Sequence, residues 1–239
     1  MSGWIEIAAP RLATVRRVPL RAAFVDRPHR FAARCVLRGG RDVVAHVPNP
    51  GRLTGVLAPR CQLLLDGPYP PTRALPYTMV AARVGGPCVW VGTNTLYANR
   101  VFPALLPCGL FPEFKGTSIR AEVMHGRSRF DFQVGGVMIE VKSVTLASGG
   151  AGRFPDAVSA RAARHCDELA ALCRSGNPTA IVFVAQRGDI ESVAPEDDVD
   201  PVFGIAIRRA AKAGVLVLAC ALEIAPEGAS RARRVPVLL

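Results

Sequence analysis

Apolar positions change their spacing along the chain near residue 86. Before it, β-rich runs are short and bounded by glycine or proline: Leu20 to Val25, Phe31 to Leu37, Val43 to Val47, Cys61 to Leu65 and Tyr77 to Val84. Five such strands predict a small barrel, with turns at Gly39-Gly40, Pro48 to Gly51, Gly67-Pro68 and Gly85-Gly86. Phe24 and Phe31 fall inside strand patterns and are assigned to the barrel core. Beyond residue 86 strands alternate with helices, which predicts an α/β layer architecture. A strand at Cys88 to Val91 leads to a helix capped by Asn94 and broken or bent at Pro103. A helix from Asp156 to about Ser175 carries Ala162, Cys166, Leu169 and Cys173 on one stripe and stops at Gly176. Thr179 to Ala185 is an apolar strand, followed by a helix from Pro201 to Ala213 and a strand from Val215 to Leu222. The expected domains are 1–86 and 87–239.

Residues 128–143, SRFDFQVGGVMIEVKS, have a different character. They predict a hairpin of Arg129 to Val134 and Val137 to Val141 turning at Gly135-Gly136. Alternation sends Ile139 and Val141 to one face and Glu140 and Lys142 to the other. Phe130 and Phe132 are expected to share the core face, which leaves Asp131 beside Glu140 and Lys142. Two carboxylates suit a hard divalent cation, Mg²⁺ or Mn²⁺, and an adjacent ammonium suits a phosphate or an attacking water. A salt-bridged strand pair would use the same residues without chemistry. Arg129 is expected on the face of Asp131, able to hold a phosphate or relieve carboxylate repulsion.

Asp followed by Glu-x-Lys is the pattern of the PD-(D/E)xK nucleases. The surrounding segments AEVMHGRSRFDF, IEVKSVTL and GRFPDAVSARAARHCDEL resemble the sugar fermentation stimulation protein A (SfsA) family, as do HVPNPGRLTG and VGTNTLYANR. The resemblance implies an α+β and α/β two-domain fold: an N-terminal OB-like β-barrel and a PD-(D/E)xK restriction-endonuclease-like α/β domain. It implies DNA binding with little sequence preference. It also makes Glu122 a candidate fourth acidic residue, and places Arg161 and His165 on a helix facing the catalytic strand. Pro50 departs from the family's Asn-Thr-Gly turn, whereas Asn49, Gly51 and Arg52 match it.

Charge adds a partner to this picture. The formal net charge is +11, and residues 1–86 hold 13 arginines against 4 acidic residues. With 27 Arg and 3 Lys, compositional bias accounts for arginine over lysine but not for missing acids at the front. A polyanion partner follows, nucleic acid before membrane, either DNA or RNA. Arg16, Arg17, Arg21, Arg27, Arg30 and Arg34 form the densest basic cluster, and Arg52 joins it as a phosphate contact. The oligomeric state is left open.

The remaining motifs argue against other functions. Seven cysteines, with no C-x-x-C pair, predict free thiols and no zinc site. No apolar run is long enough to span a bilayer and no signal peptide is recognisable, so a cytoplasmic protein is expected. SGGAGR, residues 148–153, lacks the Gly-Lys-Ser/Thr of a P-loop and is assigned as a flexible loop. Glu196 to Asp200 is assigned as a solvated loop, and Arg231, Arg233 and Arg234 as a basic tail able to touch nucleic acid. Two functions remain: a metal-dependent nuclease, or a non-catalytic DNA-binding regulator of sugar metabolism. No helix-turn-helix is recognisable, which weighs against sequence reading.

Overall fold

The chain enters the fold through β1 (Ile5–Glu6) and closes a five-stranded barrel with β2 (Leu20–His29), β3 (Ala32–Leu37), β4 (Asp42–His46), β5 (Gln62–Asp66) and β6 (Tyr77–Arg83). The computed structural model describes residues 3–15, 18–85, 88–114, 118–126 and 128–239, so Arg16, Arg17 and the expected boundary at Gly86 lie outside the described residues. Antiparallel pairs β2–β3, β3–β4, β2–β5 and β5–β6 are closed by the parallel pair β4–β6. Closure removes every free edge of the barrel. Its core is filled by Phe24, Ala33, Cys35, Leu63, Leu65 and Met79 among others. Phe31 is absent from that core: it stands at the β2–β3 turn with 43% of its surface exposed. A strand pattern cannot separate a last inward residue from a first turn residue, and Phe31 is the latter.

The α/β part follows as β7 (Trp90–Gly92), α1 (Thr95–Leu105), β8 (Ile119–His125), β9 (Ser128–Val134), β10 (Val137–Val144), β11 (Leu146–Ser148), β12 (Ala151–Phe154), α2 (Ala160–Arg174), β13 (Thr179–Ala185), β14 (Ser192–Pro195), α3 (Pro201–Lys212), β15 (Leu216–Ala225) and β16 (Gly228–Val235). Its sheet runs in the order β7-β15-β13-β10-β9-β8, with β10–β13 and β13–β15 parallel. One core layer packs α1 against this sheet and against Leu64, Val80 and Ala81 of the barrel wall. A second layer packs α2 and α3 on the opposite face. Parallel strands covered on both sides are buried throughout, as β13 is at every position.

Several local expectations change here. The SGGAGR segment is a tight hairpin between β11 and β12, with Gly149 and Gly150 at positive φ in the turn. The helix expected from Asp156 begins at Ala160, because Ser159 accepts the Ala162 N–H as its N-cap. Asp200, expected in a solvated loop, is buried and caps α3 through the Phe203 N–H while accepting the Ser159 N–H at 2.8 Å. The basic tail is a strand: Arg231, Arg233 and Arg234 pair with Glu223, Glu191 and Glu113. All seven cysteines are free. No helix among the described residues is long and apolar enough to cross a membrane.

Candidate active site and its basic cleft

The site is built at the end of the β9–β10 pairing. The register runs Val137 to Val134, Met138 to Gln133 and Ile139 to Phe132, and then the ladder stops. Beyond that point the Val141 N–H donates to Asp131 Oδ2 at 2.8 Å, so a side-chain carboxylate takes the hydrogen bond that a strand would supply. Asp131 Oδ1 accepts Asn99 Nδ2 from α1 at 2.7 Å. Phe130 and Phe132 therefore do not share a face: Phe130 packs in the α2 layer and Phe132 in the α1 layer. The expected common core face is corrected by this break in alternation, which turns Asp131 toward α1.

Glu140 and Lys142 lie on the face of β10 that meets α2. That face is buried rather than an exposed charged surface, with Glu140 5% and Lys142 9% exposed. Lys142 Nζ donates to Glu140 Oε1 at 2.7 Å. His165 Nδ1 lies 2.6 Å from the same oxygen, skewed from good hydrogen-bond alignment but close enough to stabilise its charge. Arg161 Nε donates to His165 Nε2 at 3.4 Å, which assigns the ring proton to Nδ1, facing Glu140. The Phe130 ring packs edge-on against the imidazole at 5.7 Å between centroids. His165 is thus buried beneath the strand and does not belong to a separate polar helix face.

The electrostatics of the two carboxylates diverge. Burial opposes ionisation of Glu140, yet His165 and Lys142 outweigh it and hold the carboxyl below its ordinary value. Burial and the neighbouring Glu140 charge push Asp131 up to about 6, against Val141 N–H, Lys142 and Asn99, which favour the anion. Glu140 Oε2 is buried with no hydrogen-bond partner. An unsatisfied anionic oxygen beside a carboxylate that resists ionisation is the arrangement a divalent cation relieves. No cluster of three or more His, Cys, Asp or Glu side chains able to hold a metal occurs among the described residues. The donor set is two carboxylates, the number that Mg²⁺ takes from a protein.

Other predicted residues fall outside this cluster. Glu122 is exposed on β8 and pairs with Arg129, Nε to Oε2 at 2.7 Å, so neither touches Asp131. Glu122 also adopts a φ of 56° within its strand, a conformation that costs a non-glycine residue on the order of 1 kcal/mol or more. Arg21 lies on the exposed outer wall of the barrel. Arg30 lines a cleft of about 200 Å³ between the barrel and the α/β layers, together with Asn49, Gly51, Thr95, Ser143 and Asp156. Ser143 follows Lys142 on β10, and alternation turns its side chain to the other face of the strand, so the cleft meets the same strand without being lined by Glu140 or Lys142.

The cleft is held by contacts the sequence did not reveal. Arg27 donates to the carbonyls of Arg30, Asn49, Gly51 and Arg52. Its guanidinium pins the β2–β3 turn to the 49–52 turn instead of meeting solvent. Asp156 accepts the Leu53 N–H at 3.3 Å, and a Cβ at Gly51 would collide with the Asp156 carboxylate. Gln186 Nε2 donates to Ser143 Oγ at 2.7 Å and to the Asn94 carbonyl at 2.8 Å, tying β10 to the cap of α1. Asn99 lies in the VGTNTLYANR segment, which was the available signal for it.

Comparison with known proteins agrees with this architecture. The family described as "SfsA N-terminal OB domain" matches residues 25–93, and "Sugar fermentation stimulation protein RE domain" matches residues 96–228. The chain belongs to the SfsA family. A sugar fermentation stimulation protein homolog of Symbiobacterium thermophilum is 38% identical over 238 residues, covering 92% of this chain and 95% of that one. One from Pelobacter propionicus is 39% identical over 232 residues, covering 94% and 100%. The structure of Pyrococcus furiosus SfsA, described as a complex with Ca²⁺, superposes with a TM-score of 0.84 at 24% identity, covering 97% of this chain and all of that one. The OB barrel followed by an α/β domain is therefore the SfsA fold.

Proposed function

We propose that this SfsA protein is a divalent-metal-dependent nuclease that hydrolyses phosphodiester bonds in DNA or RNA with little sequence preference. The observation that carries the reading is the unpartnered, buried Glu140 Oε2 beside Asp131, with Lys142 2.7 Å from the other Glu140 oxygen. Asp131 and Glu140 would hold the cation, Mg²⁺ or Mn²⁺, and a bound cation supplies a more acidic water and charge stabilisation on the phosphoryl oxygens. The Ca²⁺ complex of the Pyrococcus relative supports a divalent site in this fold.

The chain's own groups have separable tasks. Lys142 keeps Glu140 ionised and offers an ammonium to a phosphoryl group that gains negative charge. His165, its proton directed by Arg161, holds Glu140 from beneath and leaves Oε2 free. Asn99 and the Val141 N–H orient Asp131. Arg30, which lines the cleft, and Arg52, on the neighbouring turn, are both exposed and suited to phosphates, which position a strand without reading bases. Arg21 and Arg129 lie further along the surface and Arg161 is engaged with His165, so contact of these three with substrate is secondary in this reading.

The test is incubation of purified protein with labelled single- and double-stranded DNA and RNA in Mg²⁺, Mn²⁺ or EDTA, beside Lys142→Ala. Metal-dependent cutting that disappears in the variant supports the nuclease. Binding without cutting by the wild type, under every metal, would leave the regulator as the better reading.

A further inference from the structure

Phe31 is exposed, belongs to none of the three core clusters, and has a partner. Its ring lies 6.4 Å from that of His46 at a tilt of 31°. The backbone locks the pair: the Phe31 carbonyl accepts the Val47 N–H at 2.9 Å and lies 3.2 Å from His46 Nδ1. Next to it Arg30 reaches the cleft, and Arg52 stands on the turn that Arg27 clamps to the same hairpin. Arg34 is neutralised by Asp26, whereas Arg30 and Arg52 form no ion pair within 4 Å among the described residues, Arg52 lying close enough to the Asp156 carboxylate to favour its charge. Two aromatic rings and the exposed guanidiniums of Arg30 and Arg52 thus stand on adjoining turns of the barrel, and Arg30 among them lines the cleft.

We propose that Phe31 and His46 form a stacking platform for unpaired bases, so that the substrate is a single-stranded nucleic acid with its phosphates on Arg30 and Arg52. The proposal rests on the nuclease reading of the neighbouring cluster and names its substrate class. Stacking requires a base with a free face; a paired base in a duplex has both faces covered by its neighbours. The turn between the first two strands of an OB barrel is also one of the loops through which that fold contacts oligonucleotides.

The experiment is fluorescence anisotropy of the full chain in EDTA, with labelled oligothymidylate and a duplex of equal length, followed by cleavage of both in Mg²⁺. Wild type is expected to bind the single strand more tightly. Phe31→Ala and Phe31→Leu are each expected to weaken oligothymidylate binding about 5- to 150-fold, the range that stacking of one base on an aromatic ring spans. Duplex binding should stay unchanged, and Phe31→Trp should restore the single-strand affinity. Leucine keeps the apolar bulk without a π face, so its loss separates stacking from folding. Arg52→Ala should weaken both ligands alike and reduce the salt dependence. Unchanged oligothymidylate binding in both Phe31 variants, or a wild-type preference for duplex, overturns the platform even if cutting is observed. A wild type that neither binds nor cuts nucleic acid overturns the platform and the nuclease reading together.

Discussion

Asp131 accepts the backbone N–H of Val141 at 2.8 Å, and with that bond a carboxylate replaces the partner strand at the point where β9 and β10 part. The substitution of side chain for strand gives the carboxylate a fixed place in the fold and keeps it near a second carboxylate. Asp131 and Glu140 are thereby held together against their mutual repulsion by the surrounding fold.

That cost has a pH signature. Asp131 ionises at about 6 in the folded protein, against an ordinary value of 3.8, so between those values the folded chain holds a proton that the unfolded chain has released. Its contribution to stability is greatest below about pH 4 and declines as pH rises to about 6, then stays level. In EDTA, Asp131→Asn should gain relative to wild type across that window, by on the order of 3 kcal/mol at pH 7, since Asn99 can rotate its amide to keep a hydrogen bond. Urea melts of both proteins at pH 4 and pH 7 measure this. An equal difference at the two pH values would contradict it.

Metal addition should reverse the ranking. Wild type, with both carboxylates ionised and Glu140 Oε2 satisfied, is expected to melt at higher temperature as Mg²⁺ or Mn²⁺ is added, by mass action on the folded state. Asp131→Asn should show little or no shift and should not cut nucleic acid. Thermal scans with and without chelator decide the point; equal metal shifts in both proteins would remove Asp131 from the ligand set.

Lys142→Ala should be costly in two ways. It takes the counter-charge from a buried carboxylate, which typically destabilises by roughly 3–5 kcal/mol. It should also lower cutting by about 100-fold or more, while nucleic-acid binding through the barrel persists. A variant that folds normally and cuts at the wild-type rate would assign Lys142 a purely structural role.

The contact between the barrel and the α/β layers can be tested at Gly51. Gly51→Ala places a methyl against the Asp156 carboxylate and should destabilise by about 1–3 kcal/mol. Asp156→Ala removes the obstruction together with the bond to Leu53, so the double variant should be more stable than the sum of the single effects allows, by about 1 kcal/mol. Strict additivity in denaturant melts would show that the two sites relax independently.

What the sequence determined by itself was local. Glycine and proline punctuation placed all five barrel strands, because a turn residue acts within its own few neighbours. Asn94 was identified as a cap and Gly176 as a stop for the same reason. The pairing of Glu140 with Lys142 on one strand face followed from the two-residue period of extended backbone. Only tertiary structure decided what lay across from them. His165 reaches Glu140 because α2 covers that face, and Asp131 leaves the alternation because α1 offers Asn99. Arg27 becomes a clamp because a turn from elsewhere in the barrel presents three carbonyls beside that of Arg30, while Phe31 falls one residue outside its strand and into solvent. These relationships join residues distant in sequence, and their energies depend on burial and distance, which a period along the chain does not encode.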